Sequence, residues 1–248
     1  MEKNSGCGRE RIEQMIRHTI WAGRSGGVVI GLSGGVDSAV AAALCVHALG
    51  KEHVKALLLP TSVTPPEDLE DATGFCRSVG IDFQIIPIDG IVSGVTSIHV
   101  FPESDYSTGN LMARVRMALL YYCANAERRL VCGTSNRSEY MLGYCTKHGD
   151  SAADFQPILH LYKTQVFSLA EELGIPESIR TKPPSAGLWK GQLDEKEIGI
   201  PYRDIDDALM ALEQQEWVPA TATQEKVLTL VKSSEHKRLP PPSLLGSG

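Results

Sequence analysis

Several features that would each mark a class of protein are missing from this sequence. It has no positive excess: 24 Lys and Arg stand against 30 Asp and Glu, a formal net charge of −6. A broad nucleic-acid surface needs a basic face, so that class is set aside; a local basic pocket is not. None of its six cysteines (Cys7, Cys45, Cys76, Cys123, Cys132 and Cys145) forms a C-x-x-C pair, so neither a zinc site nor a dithiol redox motif is written here. They sit in apolar stretches such as Ala42-Ala43-Leu44-Cys45-Val46 and read as reduced, buried thiols of a cytoplasmic protein. No apolar run reaches the ~18 residues of a membrane span. Met1 to Glu10 is too polar for a signal peptide. There is no internal repeat and no Gly/Ser linker. What is present is 248 residues, 42% hydrophobic and 22% charged, enough for one ordered domain with a core that needs no staples.

The first half alternates strand and helix signals. Arg9 to Arg24 carries Ile12, Ile16 and Ile20 at i, i+4 steps, an amphipathic helix. Val28 to Leu32 is a short β-branched run suited to a buried parallel strand. The spacing predicts a helix over Ser38 to Leu49, a strand over Val54 to Leu59 and a helix from Pro66 to about Val79. A strand over Phe83 to Ile88 and a helix near Gly90 to Ile98 follow. Asn110 to Glu127 is a long helix and Arg129 to Gly133 a fourth strand. Ser93 to Ser107 matches no strong pattern. The expected fold class is therefore α/β: a doubly wound, Rossmann-like parallel sheet. A helix over Lys163 to Leu173 follows, and helices over Tyr202 to Leu212 and Thr223 to Lys232 give a helical C-terminal extension of about 195–240. Ligands on such sheets bind where the strands end, so chemistry is expected after Leu32, Leu59, Ile88 and Gly133.

The sharpest motif is Gly31-Leu32-Ser33-Gly34-Gly35-Val36-Asp37-Ser38, between a strand and a helix. Glycines let backbone N–H groups approach an anion, and the helix N-terminus adds partial positive charge. Gly-Lys-Ser/Thr is absent, so it is not a Walker loop, and the spacing is not G-x-G-x-x-G. Asp37 would repel phosphate unless a cation lies between them, which makes it a candidate Mg²⁺ ligand.

This string resembles the pyrophosphate loop of the adenylate-forming ATP pyrophosphatases. Three further strings are similar to the ammonia-dependent NAD synthetases. They are Gly109-Asn110-Leu111-Met112-Ala113-Arg114-Val115-Arg116-Met117; Gly133 to Glu139 continuing through Gly143 to Asp150 and Asp154; and Pro184 to Trp189 followed by Gly191-Gln192 and Asp194-Glu195. Glu235-His236-Lys237-Arg238 also resembles the family's C-terminal segment. One departure is Leu193, where the family commonly has Thr, which puts local hydrogen bonding in doubt.

The resemblance implies amidation of deamido-NAD by ammonia at the expense of ATP, through an adenylate, with release of AMP and pyrophosphate. It implies ATP contacts at Gly31, Leu32, Ser33, Gly34, Gly35, Val36, Asp37, Ser38, Thr134, Lys163 and Ser185. It implies Mg²⁺ on Asp37 and Glu139; Glu139, about one and a half turns past Thr134, can face back toward Asp37. Deamido-NAD contacts are implied at Arg114, Lys147, Asp154, His236 and Lys237, and an ammonia site near Asp150. Arg116 points elsewhere on its helix, a structural or interfacial position. Read without the resemblance, Asp150, Lys147 and Asp154 are equally solvated loop charges. The catalytic set is Asp37, Lys163 and Asp150, and the whole is expected to be one basic, anion-binding cleft in an acidic body. The family implies a homodimer, with no nucleic-acid or membrane partner.

A GMP-synthetase-like amidotransferase leaves the second and third strings unexplained. An ATP sensor or RNA-modifying module would need a basic stripe or an RNA domain, and neither is visible. The length also leaves no room for a glutaminase domain, so the expected nitrogen source is free ammonia or ammonia brought by a separate protein.

Overall fold

A computed structural model describes residues 5–98, 100, 102 and 104–243. The first residues of the polar N-terminus, the Cys7 side chain, and His99, Phe101 and Glu103 in the unpatterned loop lie outside the described part.

The chain begins with helix α1 (Ser5–Ala22), whose Ile12, Ile16 and Ile20 face the core. Strand β1 (Val28–Gly31) follows, then helix α2 (Val36–Leu49) and strand β2 (Val54–Leu58). Helix α3 (Pro66–Val79) starts on a proline with Glu67 and Asp68 in its first turn, where the helix dipole favours acids. Strand β3 (Asp82–Ile85), helices α4 (Asp89–Thr96) and α5 (Asp105–Glu127), and strand β4 (Leu130–Cys132) complete the first half.

The four strands are parallel, in the order β3-β2-β1-β4. Alternate residues feed opposite faces, as the two-residue strand period requires. Val28 and Ile30 of β1 and Ala56 and Leu58 of β2 pack with α1 and α2. Val29, Leu57 and Val131 pack against α4 and α5. Both faces are covered, which is why these strands read as continuous apolar runs. Ala39 to Cys45 of α2 are all buried; the run of small residues lets this helix sit deep against the sheet.

Strand order reverses at β1, which lies between β2 and β4. The loops leaving β1 and β4 at their carboxyl ends therefore diverge, and a crevice opens between them. Helix α6 (Arg137–Leu142) follows β4, capped by Asn136, whose side chain accepts from the Glu139 N–H while Glu139 reaches back to the Asn136 N–H. Helix α7 (Lys163–Glu172) begins beside it.

Short helices α8 (Glu177–Arg180) and α9 (Asp194–Ile198) were not visible in the pattern, since four or five residues carry no periodicity. Helices α10 (Tyr202–Gln214) and α11 (Ala222–Ser233) form their own apolar cluster with Leu142 and Tyr162. Asp206 of α10 ties this layer to the crevice. Fully buried, it accepts from the Ser138 hydroxyl and from the Thr164 N–H at 2.9 Å. The Ser138 oxygen in turn accepts from the Lys163 N–H at 2.9 Å. One carboxylate thus supports the N-terminus of α7 and fixes α6 beside it.

Replacing Asp206 by Ala leaves two buried donors without partners, at about 1–3 kcal/mol each. Urea unfolding is expected to show that loss. A change below ~1 kcal/mol would remove Asp206 as the tie between the two layers.

Candidate active site

A cavity of about 400 Å³ opens at the carboxyl edge of the sheet. Its floor is the β1–α2 loop and the β4–α6 loop. Its walls are the end of β2, the start of α3 and one face of α5, and the segment 182–189 with Gln192 crosses over it. Of the residues singled out by sequence, Gly31, Leu32, Ser33, Gly35, Val36, Asp37, Ser38, Thr134, Glu139, Asp150, Lys163, Ser185 and Lys237 line it.

The glycine-rich loop is held by its own serines. Ser33 N–H donates to Ser38 Oγ at 3.3 Å, Gly35 N–H donates to Ser33 Oγ at 3.2 Å, and Ser38 Oγ donates to the Gly35 carbonyl at 3.0 Å. The N–H groups of the first turn of α2 have no partner within the helix and are aimed at the crevice.

At the centre lies one buried cation. Lys163, 3% exposed, donates to Asp37 Oδ2 at 2.6 Å and to Glu139 Oε1 at 3.0 Å. Burial alone would push the Lys163 ammonium down, but Asp37 and Glu139 outweigh it and raise its pKa above the usual lysine value. Burial pushes Glu139 up to about 7; Lys163 opposes that shift and Asp37 adds to it. Asn136 Nδ2 donates to the other Asp37 oxygen at 2.8 Å, so that carboxylate is held at both ends. The Tyr202 ring lies 5.1 Å from Lys163 Nζ, a cation–π contact. Its hydroxyl donates to Asp194 Oδ2 at 3.1 Å. Asp194 is buried and its pKa is raised by that burial; its Oδ1 has no partner among the described residues.

Sequence reasoning brought Asp37, Glu139 and Lys163 together but missed Asn136, Asp194, Tyr202 and Lys182. Asn136 had a signal, the N-x-x-E pattern of a capped helix start. Asp194 lies in the third string, which gives it no role of its own; Tyr202 and Lys182 are single residues with no local pattern. Leu193, the departure noted above, precedes α9 and gives it no side-chain cap; the Asp194 N–H bonds the Pro184 carbonyl at 3.1 Å instead.

Two expectations need correction. The cleft is not predominantly basic: Asp37, Asp68, Glu139, Asp150, Asp194 and Glu197 line it with only Arg116, Lys163, Lys182 and Lys237. Each sign is interleaved with the other because a buried charge must be paired. Arg116 also does not point away. It lines the cavity and donates from Nε to the Leu59 carbonyl at 3.0 Å. The reason is helical phase: Asn110, Ala113 and Met117 face the cavity, and Arg116 is one turn past Ala113.

The second group of predicted residues stands apart. Arg114 is exposed and donates from Nε to the Lys147 carbonyl at 3.3 Å. Lys147 reaches the His236 carbonyl at 2.5 Å, and Lys237 reaches the carbonyls of Gly143 and Cys145 at 2.7 and 2.8 Å. Arg114, Lys147 and Lys237 form a cationic rim around the His236 backbone, and of these Lys237 alone lines the cavity. Asp154 is separate: it accepts from the Val131 N–H at 2.7 Å and from the Tyr121 hydroxyl at 3.4 Å. Asp150 opens to the cavity and accepts from the Thr146 N–H at 2.8 Å; desolvation by the cavity walls raises its pKa. The Ser185 hydroxyl donates to the Gln192 carbonyl at 2.7 Å, closing a turn in the overlying segment.

The family model described as NAD synthase matches residues 9–241. The chain is 54% identical over 245 residues to the NH(3)-dependent NAD(+) synthetase of Methanoregula boonei, covering 99% of each. It resembles the structure of NMN synthetase from Francisella tularensis with a TM-score of 0.90 and 36% identity, over 98% of this chain and 99% of that one. It resembles the NH3-dependent NAD synthetase from Campylobacter jejuni, solved with nitrate, with a TM-score of 0.82 and 34% identity, over 96% and 97% of the two chains. A parallel sheet with its glycine-rich loop at the strand-order reversal and a lysine buried between two carboxylates now stands beside a match over most of the length. The chain belongs to the NAD synthase family.

Proposed function

We propose that this cavity amidates deamido-NAD with ammonia, using ATP and releasing AMP and pyrophosphate. The observation that carries the reading is the Lys163 ammonium held between Asp37 and Glu139 directly beside the glycine-rich loop. A cation and two hard oxygen ligands at a phosphate cradle suit cleavage of ATP, and the relatives of this chain make NAD with ammonia.

A free carboxylate is a poor acyl donor because oxide would have to leave. The nicotinate carboxylate therefore attacks the α-phosphorus of ATP. A carboxylate–phosphorus bond forms, the bond to the β-phosphate oxygen breaks, and pyrophosphate departs. Ammonia then attacks the activated carbonyl, a C–N bond forms, and AMP leaves with the bridging oxygen. The protein contributes positioning and charge stabilisation. Ser33 to Ser38, with Thr134 and Ser185, hold ATP. Lys163 turns from its carboxylates toward the phosphates. Asp150 holds ammonium and takes its proton.

The residues fit Mg²⁺. Asp37 and Glu139 converge on one positive charge, and no third acidic, His or Cys side chain of the described residues joins them as a metal cluster. That leaves positions for phosphate oxygens and water, the usual Mg²⁺ arrangement in nucleotide sites. Asp37 and Glu139 would hold the ion, which would supply charge to offset that of the departing pyrophosphate. Such an offset is needed, since carboxylates outnumber cations around the cavity.

Arg114, Lys147, His236 and Lys237 receive the phosphates of the dinucleotide along the rim. Asp154 serves it across a homodimer boundary. Exposed Ile91 and Val95, one turn apart on α4, support a second copy packing on that side. No helix of the described residues is long and apolar enough to cross a membrane. The described cysteines are all free thiols, which supports a reducing, cytoplasmic setting.

With ATP, Mg²⁺, deamido-NAD and ammonium, the purified protein is expected to yield NAD, AMP and pyrophosphate in equal amounts. Glutamine in place of ammonium is expected to give little product. Nicotinate mononucleotide belongs in the same assay as a competing acid, given the Francisella relative. A preference for it, or formation of ADP and phosphate, sinks the assignment. Asp37→Ala is expected to lower pyrophosphate release at least ~100-fold with the fold retained by circular dichroism. Arg114→Ala is expected to raise the KM for deamido-NAD about tenfold while the KM for ATP holds, as loss of one charge-assisted contact predicts. Equal rises in both constants would remove Arg114 from the dinucleotide site.

A further inference from the structure

A second lysine meets the glycine-rich loop from a distant part of the chain. Lys182 Nζ pairs with Asp68, lies 2.7 Å from Asp71 Oδ2, and sits 3.5 Å from the Gly34 carbonyl. Asp71 is held in place by the Ser178 hydroxyl at 2.7 Å. Both acids belong to the first turns of α3, so the lysine joins three elements: that helix, the tip of the loop, and the segment crossing the cavity.

The geometry of the tip gives this joint a consequence. The Gly34–Gly35 peptide has its N–H on Ser33 Oγ and its carbonyl toward Lys182. Opposite ends of one peptide plane are thus engaged on opposite sides, and the plane cannot rotate freely. At 3.5 Å the carbonyl contact acts as a charge–dipole attraction more than as a strong hydrogen bond. The loop also rests directly on α3. Gly34 has φ +84°, and a Cβ there would lie 2.3 Å from the Asp68 carbonyl oxygen. Rotating this peptide would re-aim the N–H groups that form the anion cradle.

We propose that Lys182, clamped by Asp68 and Asp71, is a positioning residue that fixes the phosphate-binding loop and so sets the affinity of the site for ATP and pyrophosphate. It is tied to α3 and to the Gly34 carbonyl at once, so it acts by fixing the orientation of the loop. The inference rests on the reading of this cavity as an ATP site and adds a residue that the sequence motifs did not single out.

The test is Lys182→Met, which removes the charge and keeps the length. The KM for ATP and the inhibition constant for pyrophosphate are expected to rise together, about tenfold. The KM values for deamido-NAD and ammonium stay within about twofold, and Lys182→Arg recovers most of the loss. A merely structural defect would lower the active fraction without this split. Asp71→Asn, a milder change, covers the case in which Lys182→Met fails to fold and is expected to shift the same two constants in the same direction. Unchanged ATP and pyrophosphate constants, or a uniform rise for every substrate, overturn the proposal. Calorimetry with Mg-ATP or pyrophosphate and no acid substrate separates the two readings. Normal wild-type binding without NAD formation defeats the reaction and leaves this inference standing. Equal binding by wild type and the Lys182 variants defeats this inference alone, and failure of the wild type to bind either ligand defeats both.

Discussion

A lysine that is 3% exposed between two carboxylates is the constraint around which the rest of this structure is arranged. An unpaired charge in that position would be prohibitive, and a pair is tolerable only with good geometry and further hydrogen bonds. The three side chains come from three places. Asp37 stands in the first turn of α2, Glu139 in the first turn of α6, and Lys163 at the first residue of α7. Bringing them together requires β1 and β4 to be neighbours, so the strand order serves the cluster directly. It also requires α6 and α7 to start side by side, which the Ser138–Asp206 tie enforces from α10. The C-terminal helical layer therefore supports the reactive edge of the sheet.

A positive charge at the N-terminus of α7 opposes the helix dipole. The two carboxylates overcome that opposition, and the same three charges then present an arrangement that Mg-ATP can take over. Substrate phosphates would take the place of the carboxylates around the lysine, and Asp37 and Glu139 would then be the residues to hold Mg²⁺. Paired charges make the buried cluster tolerable, and an exchange of partners would make it responsive to substrate.

Much of this was legible in sequence, for identifiable reasons. Buried parallel strands leave apolar runs such as Val28 to Ile30, and the serine–glycine string after β1 is an anion-binding turn wherever it follows a strand. The boundaries were less legible. Helix α5 starts at Asp105, five residues before the expected Asn110, because its capping box is Ser104 with Ser107 and lacks the usual acid. The third strand ends at Ile85 where a run to Ile88 was expected; Ile86 still bonds the Leu58 carbonyl, but Pro87 follows and cannot donate to the ladder. Within the site, residues on a motif were found and residues that hold the motif were not. Asp206 and Lys182 stand outside the motifs, and Asp194 belongs to a string that gives it no role of its own. Only the folded chain shows that each is buried against, or clamped to, something that matters. Arg116 was misplaced for a similar reason, since which of two arginines faces inward depends on a helical phase set by packing.

The account's central claim is that this cluster at the switch point serves attack of a carboxylate on the α-phosphorus. Isotope transfer measures that attack directly. Deamido-NAD carrying ¹⁸O in both oxygens of the nicotinate carboxylate, turned over with ATP and ammonium, is predicted to deliver one labelled oxygen to the phosphate of each AMP. Pyrophosphate should carry no label, and the amide carbonyl of NAD should keep the other labelled oxygen. AMP free of label, or label in any other phosphate product, would contradict the account.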